Sequence, residues 1–444
     1  MSSSIQVAMI GISGYGESYL NALFNPPDDV SFKIVGMVDP RPQRSRFLPQ
    51  IESAGIPVFP ELHELYRFER PDLVMMATPI HLHAPHTCVA LSKGSSVLCE
   101  KPAGATIDDA RSMLHAEEIA AGFAAIGYQW SYSHAIQMLK RDILAGDFGR
   151  PIRLKTLVCS PRSMNYFSRN DWAGRMRTAD GVPVFDSPAN NATSHFLHNM
   201  LYILGPQREL AAMPVAVQAE LYRANEIENY DTAAIRCITD NGAELLFYTS
   251  HAVHVKMGPV LHYEFEKAAV YYEADTAQGG IVARFHDGLI RRYGDPNVHR
   301  HLKIWQAMDA VTSGKRLACG VRGAAPHTLC ISAAQASMPQ IVSFPDELIV
   351  LEDLPDGPMR AVLGLPAALV QCYDQSILPH DHRGLAWSSP GQVVDVRTPQ
   401  WSLDGEASRL ELSIDASIPR NGNGQAHAPR PQVAGDCTNT LHER

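Results

Sequence analysis

Between residues 190 and 201 the chain reads NNATSHFLHNML. Spacings of three and four residues bring side chains to one face of a helix, so Asn191, His195 and His198 can converge. Two imidazoles and an amide at that spacing suit proton transfer, ligation of a metal ion, or a polar seam inside a helix. Lys101 ends the apolar run of SSVLCEKPAGA. A lysine at the carboxyl end of a strand can bond a substrate hydroxyl and help its proton leave; it is also an ordinary turn residue. A third concentration of chemistry is RSMNYFSRNDWAGRM, with Tyr166, Arg169, Asn170, Trp172 and Arg175. Aromatic faces and forked donors together suit a sugar, an acid or a polyol, and the same residues would also serve a structured surface loop. Tyr222, Arg223, Glu226 and Glu228 in YRANEIENYDT are further candidates to line a cleft.

The elements that would carry these groups can be read from the pattern. VAMIGISGYGESYLNAL runs from an apolar strand through a turn into a helix. Gly11, Ser13, Gly14, Tyr15 and Gly16 form the turn, where backbone N–H groups and a helix N-terminus can receive a pyrophosphate. Ser13 stands where the common G-x-G-x-x-G pattern has its second glycine. The second strand, FKIVGMVD, ends in Asp39, the place of the acidic residue that binds the adenosine ribose; a carboxylate there favours NAD over NADP, with Arg41 nearby as the counter-indication. DLVMMATP brings Thr78 and Pro79 to the carboxyl edge of the same sheet, followed by His81, His83 and His86, of which the latter two are expected to start a helix facing solvent or cofactor. Strand and helix alternate from Ile5 to about Tyr128, which predicts a doubly wound parallel sheet. Thr106 is the expected N-cap and Gly122 the expected end of the helix after the E-K-P strand. After Tyr132 longer alternating runs (PIRLKTLVCS, AAIRCITD, AELLFYTSHA, HYEFEKAAVYYEAD, GLIRRYG) predict a mostly antiparallel sheet in an α+β half. Helices are expected over 133–145, 192–204 and 297–313.

Composition sets limits. The chain has 444 residues, 45% hydrophobic and 19% charged, with a net charge of -9. That balance gives no basic footprint for nucleic acid and none for an anionic membrane. Eight cysteines without a C-x-x-C pair suit reduced thiols, and no apolar run reaches the length of a membrane span. A cytoplasmic protein is the expectation. The expected segments are 1–130 for a dinucleotide-binding domain, 131–345 for a substrate domain with the large sheet, 346–401 for an extension of it, and 402–444 for a polar, partly disordered tail.

The order of the glycine turn, the strand-end Asp39, A-T-P-x-x-x-H and V-L-C-E-K-P, continuing through IGYQW and LKRDILAGDFGRPIRL, resembles the Gfo/Idh/MocA family of NAD(P)-dependent oxidoreductases over about residues 5 to 344. The resemblance implies a Rossmann domain plus an α/β domain with an open, mostly antiparallel sheet. It implies NAD, with NADP less favoured, at Gly11, Ser13, Gly14, Tyr15, Gly16, Asp39, Arg41, Thr78, Pro79, His83, Glu100, Lys101 and Gln129. It carries the family's catalytic lysine onto Lys101 and its Asp-x-x-x-His pair onto Asn191 and His195, with His195 accepting a proton, Lys101 sharing the work and Asn191 orienting the ring. Sugars or polyols are the implied substrates, Tyr166, Arg169, Asn170, Trp172, Arg175 and His198 the candidate contacts, and a homodimer or homotetramer the implied assembly. No metal is expected. Alternatives that share the site are glycoside cleavage through a transient keto-sugar and non-catalytic NAD or sugar binding in regulation.

Overall fold

The computed structural model describes residues 4–273 and 279–404. The expected tail thus falls, from residue 405 on, outside the described residues. Six short strands form the first sheet: β1 (Ile5–Ile10), β2 (Phe32–Val38), β3 (Val58–Phe59), β4 (Leu73–Met76), β5 (Ser96–Cys99) and β6 (Ala124–Ile126). Their order is β3-β2-β1-β4-β5-β6 and every pairing is parallel. All residues of β4 and β5 are buried, as a sheet covered on both faces requires. Alternate residues feed two cores. Val7, Met9, Met37, Leu73, Met75 and Leu98 meet helices α1 (Gly16–Phe24) and α6 (Leu302–Ser313). Ala8, Val74, Met76, Val97 and Cys99 meet α2 (His83–Ser92), α3 (Ile107–Ile119) and α7 (Val321–Ser337). Two helices from late in the chain therefore complete the N-terminal layers.

The second sheet contains β7 (Pro151–Cys159), β8 (Pro214–Arg223), β9 (Thr232–Thr239), β10 (Glu244–Ser250), β11 (Met257–Phe265), β12 (Ala268–Glu273), β13 (Gly280–Phe285), β14 (Ile290–Gly294) and β15 (Val342–Ser343). The order is β14-β13-β12-β11-β7-β10-β9-β8-β15, antiparallel except for the β7–β10 and β8–β15 pairs. The expected fold class holds: a Rossmann layer followed by a large mixed sheet. One face packs on α4 (His134–Leu144), α5 (Ser194–Ile203) and α7 through Leu154, Val158, Ala219, Ile235 and Phe247. Residues of opposite parity, Leu157, Tyr222, Leu246 and Tyr248, meet a lobe built from the hairpin β16 (Ile349–Leu354)–β17 (Gly357–Val362) and helix α8 (Leu365–Gln375). A last strand, β18 (Val394–Asp395), adds to β8. The sheet is thus open only over its β11–β14 half.

Several local expectations change. Thr106 forms a full capping box with Asp109, but α3 ends at Ile119 with Ala120 extended, and Gly122 has no capping role. HYEFEKAAVYYE is two strands turning at Glu266 and Lys267, and the two residues that follow lie outside the described residues. α6 begins at Leu302, after His299 in a left-handed conformation, well inside the expected 297–313. α7 was not expected at all. It is buried nearly all round and contains Pro326, so it shows neither an amphipathic stripe nor an uninterrupted helical pattern. No described helix is long and apolar enough to cross a membrane.

Candidate active site

The glycine turn lies at the carboxyl end of β1. Gly11 has φ +79°, and a Cβ there would lie 2.7 Å from the carbonyl oxygen of Ala77; a Cβ on Gly16 would lie 2.0 Å from that of Gly11. Only glycine lets the turn close against the end of β4 and open α1. The Asp39 carboxylate closes the turn from β2. It accepts from the backbone N–H of Ile12 at 3.0 Å and of Arg41 at 2.8 Å, and the Ser13 hydroxyl lies 3.4 Å away. Tyr15, half exposed, reaches Gln129 at 3.5 Å across the rim. The Thr78 hydroxyl is buried without a hydrogen-bond partner among the described residues. A cradle that excludes Cβ atoms, a helix N-terminus and an unsatisfied hydroxyl at the sheet edge fit a dinucleotide, which the residues of this turn would hold.

Two of the expected cofactor residues sit elsewhere. His83 is buried, its ring braced between the carbonyl oxygens of Pro102 at 2.8 Å and Thr78 at 2.9 Å. It ties the E-K-P loop to the end of β4 and does not face solvent. Glu100 is buried too. Its carboxylate is taken by the Lys303 ammonium, by the Tyr19 hydroxyl at 2.7 Å and by the Lys101 N–H at 3.2 Å. Burial alone would raise the Glu100 carboxyl, but Lys303 and Lys101 outweigh it and hold it below its ordinary value. Gly127 leaves room for this pair, since a Cβ there would stand 2.8 Å from Glu100 Oε1. Lys303 and Tyr19 have no marker in the sequence. Lys303 is 203 residues from its partner.

The E-K-P loop, with a cis Lys101–Pro102 peptide, turns Lys101 toward the residues that precede α5. Lys101 Nζ donates to the Asn191 main-chain oxygen at 2.8 Å and to Asn191 Oδ1 at 2.9 Å. Asn191 Nδ2 donates in turn to Asp186 Oδ1 at 2.8 Å. Asn191 is therefore no N-cap; Thr193 holds that position. Its amide is also not spent on His195, contrary to the expectation that it orients the ring. His195 does lie in the first turn of α5, but its Nδ1 has no hydrogen-bond partner among the described residues. Burial, then Lys101, Lys303 and His327, hold its imidazole well below its usual value. Burial also pushes the Lys101 amine down to about 8, with Glu100 opposing and Lys303 adding to the effect.

His198 does not reach the site. It is 1% exposed, stacked on Tyr128 at 3.7 Å, with Nε2 at 3.0 Å from the Ser131 hydroxyl. Its expected substrate contact is corrected to a core role. The two histidines of NNATSHFLHN do not converge on one point, and among the described residues no group of three or more His, Cys, Asp and Glu is placed to hold a metal. In the loop after β7, Arg169 stacks on Tyr166 at 3.7 Å and on Trp172 at 5.3 Å and lies 3.8 Å from Asp186. Asn170 shapes the loop instead, accepting from the N–H of Trp172 and Ala173 at 3.2 and 2.8 Å. Arg175 is exposed. Tyr222 is buried against Glu220, Arg223 donates to the carbonyls of Ile227 and Glu228, and exposed Glu226 pairs with Arg360, so this stretch is a structural seam.

Residues 5–128 match the family model GFO_IDH_MocA, described as an oxidoreductase family with an NAD-binding Rossmann fold. A putative oxidoreductase, YteT, of Bacillus subtilis (strain 168) is 26% identical over 201 residues, 41% of this chain and 46% of that protein. An inositol 2-dehydrogenase of Rubrobacter xylanophilus is 29% identical over 153 residues, 34% of this chain and 43% of that one. The matched part is thus less than half the length of these relatives. The WlbA dehydrogenase of Bordetella pertussis, solved with NADH and UDP-GlcNAcA, superposes with a TM-score of 0.62 at 19% identity, over 76% of this chain and 97% of that one. The first layer, residues 5–128, thus carries the NAD-binding Rossmann fold of the Gfo/Idh/MocA oxidoreductase family, and the mixed sheet that follows it has the fold of solved dehydrogenases.

Proposed function

We propose that the protein is an NAD-dependent dehydrogenase that oxidises a secondary hydroxyl of a sugar or polyol, or reduces the corresponding ketone. The observation that carries this reading is the setting of Lys101. An ammonium has three donors, and two are directed at the oxygens of Asn191. The third position is left for a substrate oxygen. When bound, NAD supplies the hydride acceptor, and the protein supplies orientation and proton handling. In oxidation Lys101, as the amine, takes the alcohol proton; in reduction, as the ammonium, it returns one to the forming alkoxide. His195 stays neutral and offers a ring nitrogen as a hydrogen-bond partner to the same oxygen. Arg169, Tyr166 and Trp172 offer guanidinium and aromatic faces to the rest of the ligand. Asp39 at the glycine turn favours NAD over NADP by repelling a 2′-phosphate.

The test is a sugar and polyol panel assayed with NAD and with NADP. Steady NADH formation with at least one member, faster with NAD, is expected. Lys101→Met should lose roughly 100-fold or more of that rate, the usual contribution of a positioned acid–base group, while NAD still quenches the protein's fluorescence with unchanged affinity. Turnover that survives the substitution would remove Lys101 from the chemistry. Product without net NADH would replace a dehydrogenase by a glycoside-cleaving enzyme.

A further inference from the structure

Asn191 stands where the resemblance implies a carboxylate, and a neutral amide cannot balance the charge of a half-buried ammonium. The structure holds a carboxylate one hydrogen bond further on. We infer that Asp186 is the positioning carboxylate of this site, acting on Lys101 through the Asn191 amide. This rests on Lys101 being the group that exchanges the proton.

An amide has one accepting and one donating end. Between an ammonium and a carboxylate only one orientation is compatible with both neighbours. With Oδ1 on Lys101 and Nδ2 on Asp186, each bond is charge-assisted and the two polarise each other. The chain thereby fixes the Lys101 amine with its remaining position free. Asp186 is itself held on several sides. Its Oδ2 accepts from the Gly174 N–H at 2.8 Å, and its main-chain oxygen accepts from Asn229 Nδ2 at 3.1 Å. Phe185 before it has φ +43°, a conformation that costs energy for an aromatic residue and persists where its surroundings enforce it. Gly174 closes the loop that carries Tyr166, Arg169 and Trp172. The same carboxylate therefore joins the loop that faces the ligand to the amine that handles the proton.

The other titratable groups around Lys101 do not substitute for it. Glu100, its neighbour in sequence, is spent on Lys303 of α6 and Tyr19 of α1. His83 of α2 and His327 of α7 are each bound to main-chain oxygens. His195 of α5 is neutral, and Arg169 adds positive charge beside Asp186. Tyr166 and Tyr230 are the phenols nearest to Asp186, both pushed above their ordinary values by burial.

The test needs no substrate. In the full chain, the reactivity of Lys101 toward trace acetic anhydride is followed against pH by mass spectrometry of its peptide. The midpoint gives its ionisation directly. Asp186→Asn should lower that midpoint by about one unit, a tenfold gain in free amine at a fixed pH below both values. Asn191→Leu cuts the same chain while Asp186 stays bonded to Gly174, and should produce a similar shift even where Asp186→Asn does not fold. Asn191→Asp added to Asp186→Asn brings a carboxylate back to Lys101 and should restore the midpoint. A folded Asp186→Asn with the wild-type midpoint overturns the proposal, as does an unchanged midpoint in Asn191→Leu. Full turnover by Lys101→Met would instead overturn the role given to Lys101, so the two failures are told apart.

Discussion

At the scale of single residues, Lys101 and His195 differ in what surrounds them. His195 has cations nearby and an unpartnered Nδ1, so an imidazolium there would be unsupported. Lys101 has the Asn191–Asp186 chain and an amine brought down to about 8. Because kcat/KM reports the ionisations of the free enzyme, the oxidation rate should rise with pH to a plateau above about 8. The reduction rate should fall over the same range, since it needs the ammonium. No limb should appear near 6.5, where an ordinary histidine titrates; an oxidation limb there, absent in His195→Gln, would give the proton to His195. The sequence made Lys101 legible because E-K-P ends a strand within a recognisable order of motifs. It did not show Asp186, which lies five residues before Asn191 in an irregular loop. No periodicity predicts that the two side chains bond. His198 misled for a related reason: i,i+3 spacing puts two side chains on adjacent parts of one face, but α5 is buried on nearly all of its surface, so one ring meets the cleft side and the other the core.

At the scale of elements, the site depends on α6 reaching back to the first sheet. Its Lys303 is 1% exposed and sits against Glu100 beneath the E-K-P loop. Buried pairs of this kind add little net stability, but removing one partner strands the other charge. Lys303→Met should therefore destabilise the fold by about 3–5 kcal/mol, read from urea unfolding. The Glu100 carboxyl lies below its ordinary value, so the stability it contributes is present near neutrality and is lost as pH falls through its folded value. In Lys303→Met burial is no longer offset by that ammonium and the Glu100 carboxyl rises, so the acid-side loss should shrink or vanish and the variant's deficit should narrow as pH falls. A loss under 1 kcal/mol with unaltered acid unfolding would mean that the Lys303 ammonium is not what holds the charge of Glu100. The strands of both sheets were legible because apolar runs and two-residue alternation are local. The late helices that seal them were not. α7 has small and apolar residues on every side and a proline inside, and α6 declares its polar, buried Lys303 as though it were surface.

At the scale of the whole molecule, the C-terminal lobe decides what the second sheet can meet. Residues of one parity on β7 to β10 would present Leu157, Leu246 and Tyr248 to water; α8 and the β16–β17 hairpin cover them with Leu365, Leu369, Tyr373 and Val362. The β11–β14 half of the same face keeps Val260 43% exposed and His262 stacked on Tyr271 at 5.2 Å. The pairing of two copies through an open sheet that the family resemblance implies would have only that half available among the described residues. The sequence carried no sign of this, because the lobe has no motif and its contacts are all long-range. A chain ending at Phe344 would expose an apolar face of several large side chains, and contiguous patches of that size associate. Such a truncated chain is expected to bind the dye ANS and to sediment faster as its concentration rises, while the full chain binds little dye. A truncated chain that stays free of dye, with unchanged sedimentation over the same range, would mean that the lobe is not what keeps this face from water. The glycine turn opens α1 at the end of β1 in the first sheet, so NAD should still quench the fluorescence of whatever truncated protein remains soluble.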